Sequence, residues 1–272
     1  MKIYVIGHWN VTYGEVLRSA ADCLREMGHD VIMSRSVTGL ASKATNPYYN
    51  AFAQNLIESR YMAQVVFQDW RPQVYQDHHH MGSNGARLFV APYANPTHPN
   101  PDPLIWAELQ MYGAYMAMHL DEAGKKGILN GAQFGGWGHM GFHWLTNHHN
   151  IAGMLTESAS AKVGSPLFIP PEQLQASGDK SFPNYQQQTN FVNPWEGGWW
   201  RLRDIVEQQK ISAWAILDCA ARNRTTVLRN AVTKAQRQIA KGENEAPYAF
   251  VIPARQHDPL TARKLIDRKS VV

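Results

Sequence analysis

Cysteine is scarce in this chain of 272 residues: Cys23 and Cys219 are the only two, far apart, and both fall in stretches with helical spacing. A disulfide framework and a cysteine-based zinc site are thereby excluded, so any metal has to be held by imidazoles and carboxylates. Long apolar runs are also missing. No stretch approaches 18 consecutive apolar residues, which excludes a membrane-crossing helix. The opening MKIYVIGHWN has too short an apolar core for a signal peptide, and on that ground the chain as written is expected in the cytoplasm. Nor is one sign of charge in large excess. Twenty-six basic and 22 acidic residues give +4, spread out rather than blocked, so neither nucleic acid nor a membrane is an expected partner. After the first expected strand comes GHWN, without the glycines of a dinucleotide fingerprint. A nucleotide or cofactor site at Gly7-His8 is therefore only a minor expectation.

What is present is material for a core, with 44% apolar residues, and an abundance of histidine. Nine of the twelve histidines fall between positions 78 and 149. Histidine titrates near neutral pH and is the commonest metal ligand, so this segment is where chemistry is to be sought. Along the chain, KIYVI (2–6), a helical pattern over 12–27 stopped by Gly28, and DVIM (30–33) predict a βαβ beginning. A helix is predicted over 50–69, ended by Arg71-Pro72, and then a strand QVYQDH over 73–78. An ordered, proline-rich loop over 82–103, a helix over 104–123, a short strand GILN and a Gly/Trp/His-rich loop over 131–149 lead to a strand IAGMLTES over 151–158. Residues 164–197 read as loop, 199–242 as a long helical region broken once, and the end as a strand, a turn at 257–259 and a helix start.

Two places carry candidate chemistry. VYQDHHHMG (74–82) puts three histidines directly after a strand, and alternation points His79 away from His78 and His80. Glu157 follows the apolar run IAGML, where a carboxylate must be solvated, paired or catalytic, because burying it alone costs several kcal/mol. Solvated loop histidines and a carboxylate facing water remain open alternatives at this level. Trp195, Trp199 and Trp200 with Arg201 and Arg203 are expected to pack and anchor the following helix, and Lys234, Arg237 and Lys241 to form a solvated helix face.

The segments PQVYQDHHHMGSNGARLFVAPYANPTHPNPDPLI (72–105), NIAGMLTESAS (150–160) and NPWEGGWWRLRDIVEQQ (193–209) together resemble the bacterial zinc carboxypeptidases. The resemblance runs from about residue 46 to 260. It implies that His79, in the family's D-x-H-x-M-G segment, is a zinc ligand, and that Glu157, in L-T-E, is the general base. It also implies an enzyme of the metallocarboxypeptidase type, with Zn as cofactor and a peptide as substrate; members of that family are typically exported.

Several family features are displaced or missing. The upstream H-x-x-E pair that supplies two more ligands has no counterpart in residues 1–77. The only H-x-x-E, His119 to Glu122, lies downstream and reads as a surface helix pair. Tyr49 occupies the place of the arginine that grips the substrate carboxylate, and Phe134 that of a substrate-facing tyrosine. His139 and His143, four apart, are candidate recruits to a metal at His79, although Gly135, Gly136, Gly138 and Gly141 disfavour a helix joining them.

The expected fold is α/β, a mixed, mostly parallel sheet with helices on both faces, zinc-carboxypeptidase-like. It is expected in three parts: a βαβ-like segment at 1–45, a carboxypeptidase-like core at 46–245, and the start of a further α/β domain at 246–272. The expected function is zinc-dependent hydrolysis of peptide C-termini, impaired by the missing ligands and clamp. The alternative is a catalytically inactive remnant that binds a peptide or a protein partner.

Overall fold

A computed structural model of the chain describes residues 2–8, 30–36, 59–138, 141–162, 164–246, 252–253, 255–260 and 262–263. The chain divides into two compact units, 1–234 and 235–272. In the first, β1 (Lys2–His8) and β2 (Asp30–Ser36) pair in parallel, from Lys2 opposite Asp30 to His8 opposite Ser36. That pairing is the one a βαβ start requires. The helix expected between them lies outside the described residues.

A four-stranded mixed sheet carries the middle of the chain, in the order β3 (Val74–Met81), β6 (Ala152–Ala159), β4 (Leu88–Phe89), β5 (Ile128–Leu129). β3 runs parallel to β6 and β4 parallel to β5, while β4 and β6 are antiparallel. The class is thus α/β with a mixed, mostly parallel sheet. β6 is buried along its whole length, which explains a strand of small and apolar residues without alternation. β3 extends to Met81, so the three histidines lie inside the strand rather than after it, as the sequence had suggested. The parallel ladder to β6 continues through His78, His79 and His80, and this pairing holds them extended.

Helices cover both faces. α1 (Ser59–Ala63) continues as a π-helical stretch, Gln64–Trp70, which stops at Arg71 in a left-handed conformation before Pro72. α2 (Pro103–Glu122) starts where Asp102 Oδ1 accepts from the Leu104 amide at 2.9 Å, and it buries Ile105, Leu109, Tyr112, Met116 and Leu120 as one stripe. Gly113 lets this helix close on the chain after β4, because a Cβ there would stand 1.8 Å from the carbonyl oxygen of Ala91. α3 (Phe142–Leu145) is a single turn on the opposite side of the sheet. α4 (Leu202–Arg222) packs against α2 and begins in a capping box, the Arg201 amide donating to Asp204 Oδ2 at 2.8 Å.

The long helical region is broken at Asn223, and α5 (Arg224–Asn244) follows. Trp199 and Trp200 are not helical but belong to β8 (Gly198–Trp200), which pairs with β7 (Leu167–Ile169). Trp200 is buried, donates from Nε1 to the Ala159 oxygen at 2.8 Å, and lies with Trp195 around Arg87, whose guanidinium carbon is 4.4 Å from the Trp195 ring and 4.9 Å from the Trp200 ring. Trp195 and Trp200 thus pack on Arg87 rather than on Arg201 and Arg203, while Trp199 is exposed with the Arg201 guanidinium carbon 5.5 Å from its ring. Lys234 corrects the solvated-face expectation. It is 1% exposed, and its Nζ donates to Glu108 Oε2 of α2 at 2.6 Å, while Asn230 donates to Oε1 at 2.9 Å. The cation sits inside because a buried carboxylate on α2 meets it there.

In the second unit the described backbone includes the turn at 257–259, where Asp258 Oδ1 accepts from the Leu260 amide at 3.1 Å. The strand expected before it is mostly outside the described residues.

Candidate functional site

Strand parity divides the residues of β3. Gln76 and His78 face α2 and α4: Gln76 Nε2 reaches Ser212 Oγ at 3.2 Å, and His78 Nδ1 bonds Gln209 Oε1. Asp77 and His79 face the other way, toward α3. Across the ladder His79 stands opposite Glu157 of β6, and Phe89 of β4 stands opposite Glu157 on its other side.

His143 reaches this face from α3. The turn enters from Gly141 at φ 87°, and it can lie close on β6 because residue 153 is glycine. A Cβ on Gly153 would meet Thr146 Oγ1 at 1.9 Å and the His143 carbonyl oxygen at 2.4 Å. The His143 and His79 rings then meet edge to face, with centroids 5.8 Å apart.

Asp77 Oδ2 lies 2.9 Å from His79 Nε2 and 3.3 Å from His143 Nδ1, and His79 Nδ1 lies 3.7 Å from Glu157 Oε1. Among the described residues, Asp77, His79 and His143 are the group with metal-donor spacing, one donor atom from each lying within 4.8 Å of the others. His143 and Glu157 are buried, Asp77 is partly covered, and the His79 side chain keeps 36% of its surface exposed, which leaves the group open on one side. Burial alone pushes the Asp77 carboxyl up, but hydrogen bonds from His143 and His79 outweigh it and hold it well below the usual carboxylate range. The bond to Asp77 raises His79 against the opposing effect of burial. Burial dominates at Glu157 and lifts it to about 7, with His79 pulling the other way. Two buried atoms here, His143 Nε2 and Glu157 Oε2, have no hydrogen-bond partner among the described residues.

No family model, curated protein or solved structure matches the chain.

Aromatic rings flank the group on the same face. Phe134 packs on Phe89 at 4.8 Å between centroids, Phe89 lies 6.1 Å from Tyr93, and Tyr93 lies 6.3 Å from His143. Tyr93 is buried, and its hydroxyl accepts from the Leu155 amide at 2.8 Å, which fixes the ring beside β6; burial pushes its ionisation far above the ordinary range. Phe134 is therefore part of an apolar wall that starts beside Glu157.

Of the residues singled out from sequence, His79, Glu157 and His143 come together, while Tyr49 and His139 lie outside the described residues. His119 and Glu122 form the surface pair expected on α2, 3.3 Å apart. Asp77 was missed as a member of the group, although its i, i+2 spacing to His79 on a strand puts both on one face. Gly153 was missed as well. Its role rests on a contact to a turn ten residues upstream, for which spacing gives no signal.

Proposed function

We propose that the protein is a zinc-dependent metallohydrolase of peptide C-termini, of the zinc carboxypeptidase type in core fold and chemistry. The observation that carries this reading is Glu157: a buried carboxylate in register with His79, with one oxygen near that ring and the other unpartnered among the described residues. Imidazole and carboxylate donors with an open side suit Zn2+, and the unpartnered buried oxygen of Glu157 suits a site that receives water. His79 would hold the ion. Bound there, Zn2+ supplies Lewis acidity toward a carbonyl group and makes water more acidic.

The chain's own residues supply the rest. Glu157, its affinity for protons raised by burial to near neutrality, is matched to taking a proton from water and returning it to a leaving amine. Phe134, partly exposed and backed by the buried Phe89 and Tyr93, offers an apolar surface to a substrate side chain. The test is hydrolysis of N-blocked dipeptides by the zinc-loaded protein. Glu157→Gln is expected to abolish cleavage while zinc stays bound. Peptide binding that survives both chelator and Glu157→Gln, with no cleavage by the unaltered protein, would instead support a binding module.

A further inference from the structure

Two imidazole nitrogens, His79 Nε2 and His143 Nδ1, converge on a single oxygen of Asp77, at 2.9 and 3.3 Å. As plain hydrogen bonds these contacts need a proton on each nitrogen, and they leave His143 Nε2 buried and unpartnered among the described residues. Such an orphan costs about 1–3 kcal/mol and calls for a water; a ring holds one ion through one nitrogen, so the case for a metal rests on the two nitrogens that face Asp77. The same donors have the spacing of metal ligands. Around tetrahedral zinc, bonds of ~2.0–2.2 Å put neighbouring ligand atoms ~3.3–3.6 Å apart. His143 is also 5% exposed, and Gly153 is the residue that lets its turn come down onto β6.

We infer that Asp77, His79 and His143 are together the protein ligands of a Zn2+ site contained within residues 77–143, so that this chain binds the metal without an upstream H-x-x-E pair. Three protein donors leave a fourth position open, as in catalytic rather than structural zinc sites. His79 turns Nε2 toward Asp77, which leaves its Nδ1 facing Glu157 Oε1 at 3.7 Å, too far for a hydrogen bond, so Glu157 stays outside the ligand set. The inference rests on the hydrolase proposal only for the choice of zinc; the ion is bound whether or not a peptide is cut.

The experiment is titration of the metal-free full chain with Zn2+ alone, followed by calorimetry, and with Co2+ alone, followed by its visible absorption. The unaltered protein is expected to bind about one equivalent and to give the intense bands of four-coordinate cobalt. His143→Ala and Asp77→Ala should each weaken Zn2+ by more than the ~10–100-fold that accompanies loss of an outer-shell partner, and should dim the cobalt bands. His119→Ala should change neither. Circular dichroism checks folding, and His143→Gln serves if the alanine variant does not fold. Zn2+ bound as tightly by the His143 or Asp77 variants as by the unaltered chain would overturn this inference and leave the hydrolase proposal standing. Zinc binding with the predicted losses but no peptide cleavage would contradict the hydrolase proposal alone.

Discussion

Alanine at position 153 places a methyl group where Thr146 Oγ1 would stand 1.9 Å away and the His143 carbonyl oxygen 2.4 Å away. Ordinary contact begins at 3.4 Å, so the turn carrying His143 has to retreat by about 1.5 Å or the strand has to give way. β6 is buried, and Gly153 is held in the parallel ladder opposite Tyr75 of β3, which makes the single turn of α3 the part that yields. Overpacking of this kind costs about 1–3 kcal/mol, to be read from the urea midpoint of the metal-free protein.

The effect on metal is the sharper readout. Donor distances in a metal site tolerate shifts of only about 0.2 Å, so Gly153→Ala should lower Zn2+ affinity at least about tenfold. In a double-mutant cycle, Gly153→Ala should add almost nothing to the zinc defect of His143→Ala, because both act through one ligand. A Gly153→Ala protein with unchanged midpoint and unchanged zinc affinity would refute the packing argument. Full additivity in the cycle would show that Gly153 does not act through His143.

Further predictions concern the frame around the site. Lys234→Met alone leaves the buried Glu108 without its cation and with only Asn230 as donor, and should cost about 3–5 kcal/mol, whereas the Glu108→Leu, Lys234→Met double variant should recover most of it in chemical denaturation. Trp200→Ala empties the space beside Arg87 and removes the bond to Ala159, with an expected loss of about 3–5 kcal/mol by urea midpoint. His119→Ala, which removes partly exposed contacts to Glu122 at 3.3 Å and Asp218 at 3.9 Å, should leave stability within about 0.5 kcal/mol.

How far the sequence discloses this arrangement differs from element to element. α2 is legible because Asp102 and Pro103 mark its start and the buried positions repeat at helical spacing. β6 is legible as an apolar run, and the separation of His79 from its neighbours follows from strand alternation. The two-residue strands β4 and β5 are too short for any periodicity to register. Lys234 misleads because a lysine in a helix so rich in polar residues reads as solvated, and only Glu108, 126 positions away, explains its burial. His143 resists sequence analysis for a similar reason. Glycines around it argue against a helix, yet a single turn behind Gly141 is enough, and its place is decided by the missing side chain at residue 153.

The most direct measurement is the zinc content of the purified chain after equilibration with Zn2+ and exhaustive dialysis. The metal-centred account predicts about one zinc per chain, falling to none in His79→Ala and unchanged in Glu157→Gln. An unaltered protein that retains no zinc would contradict it.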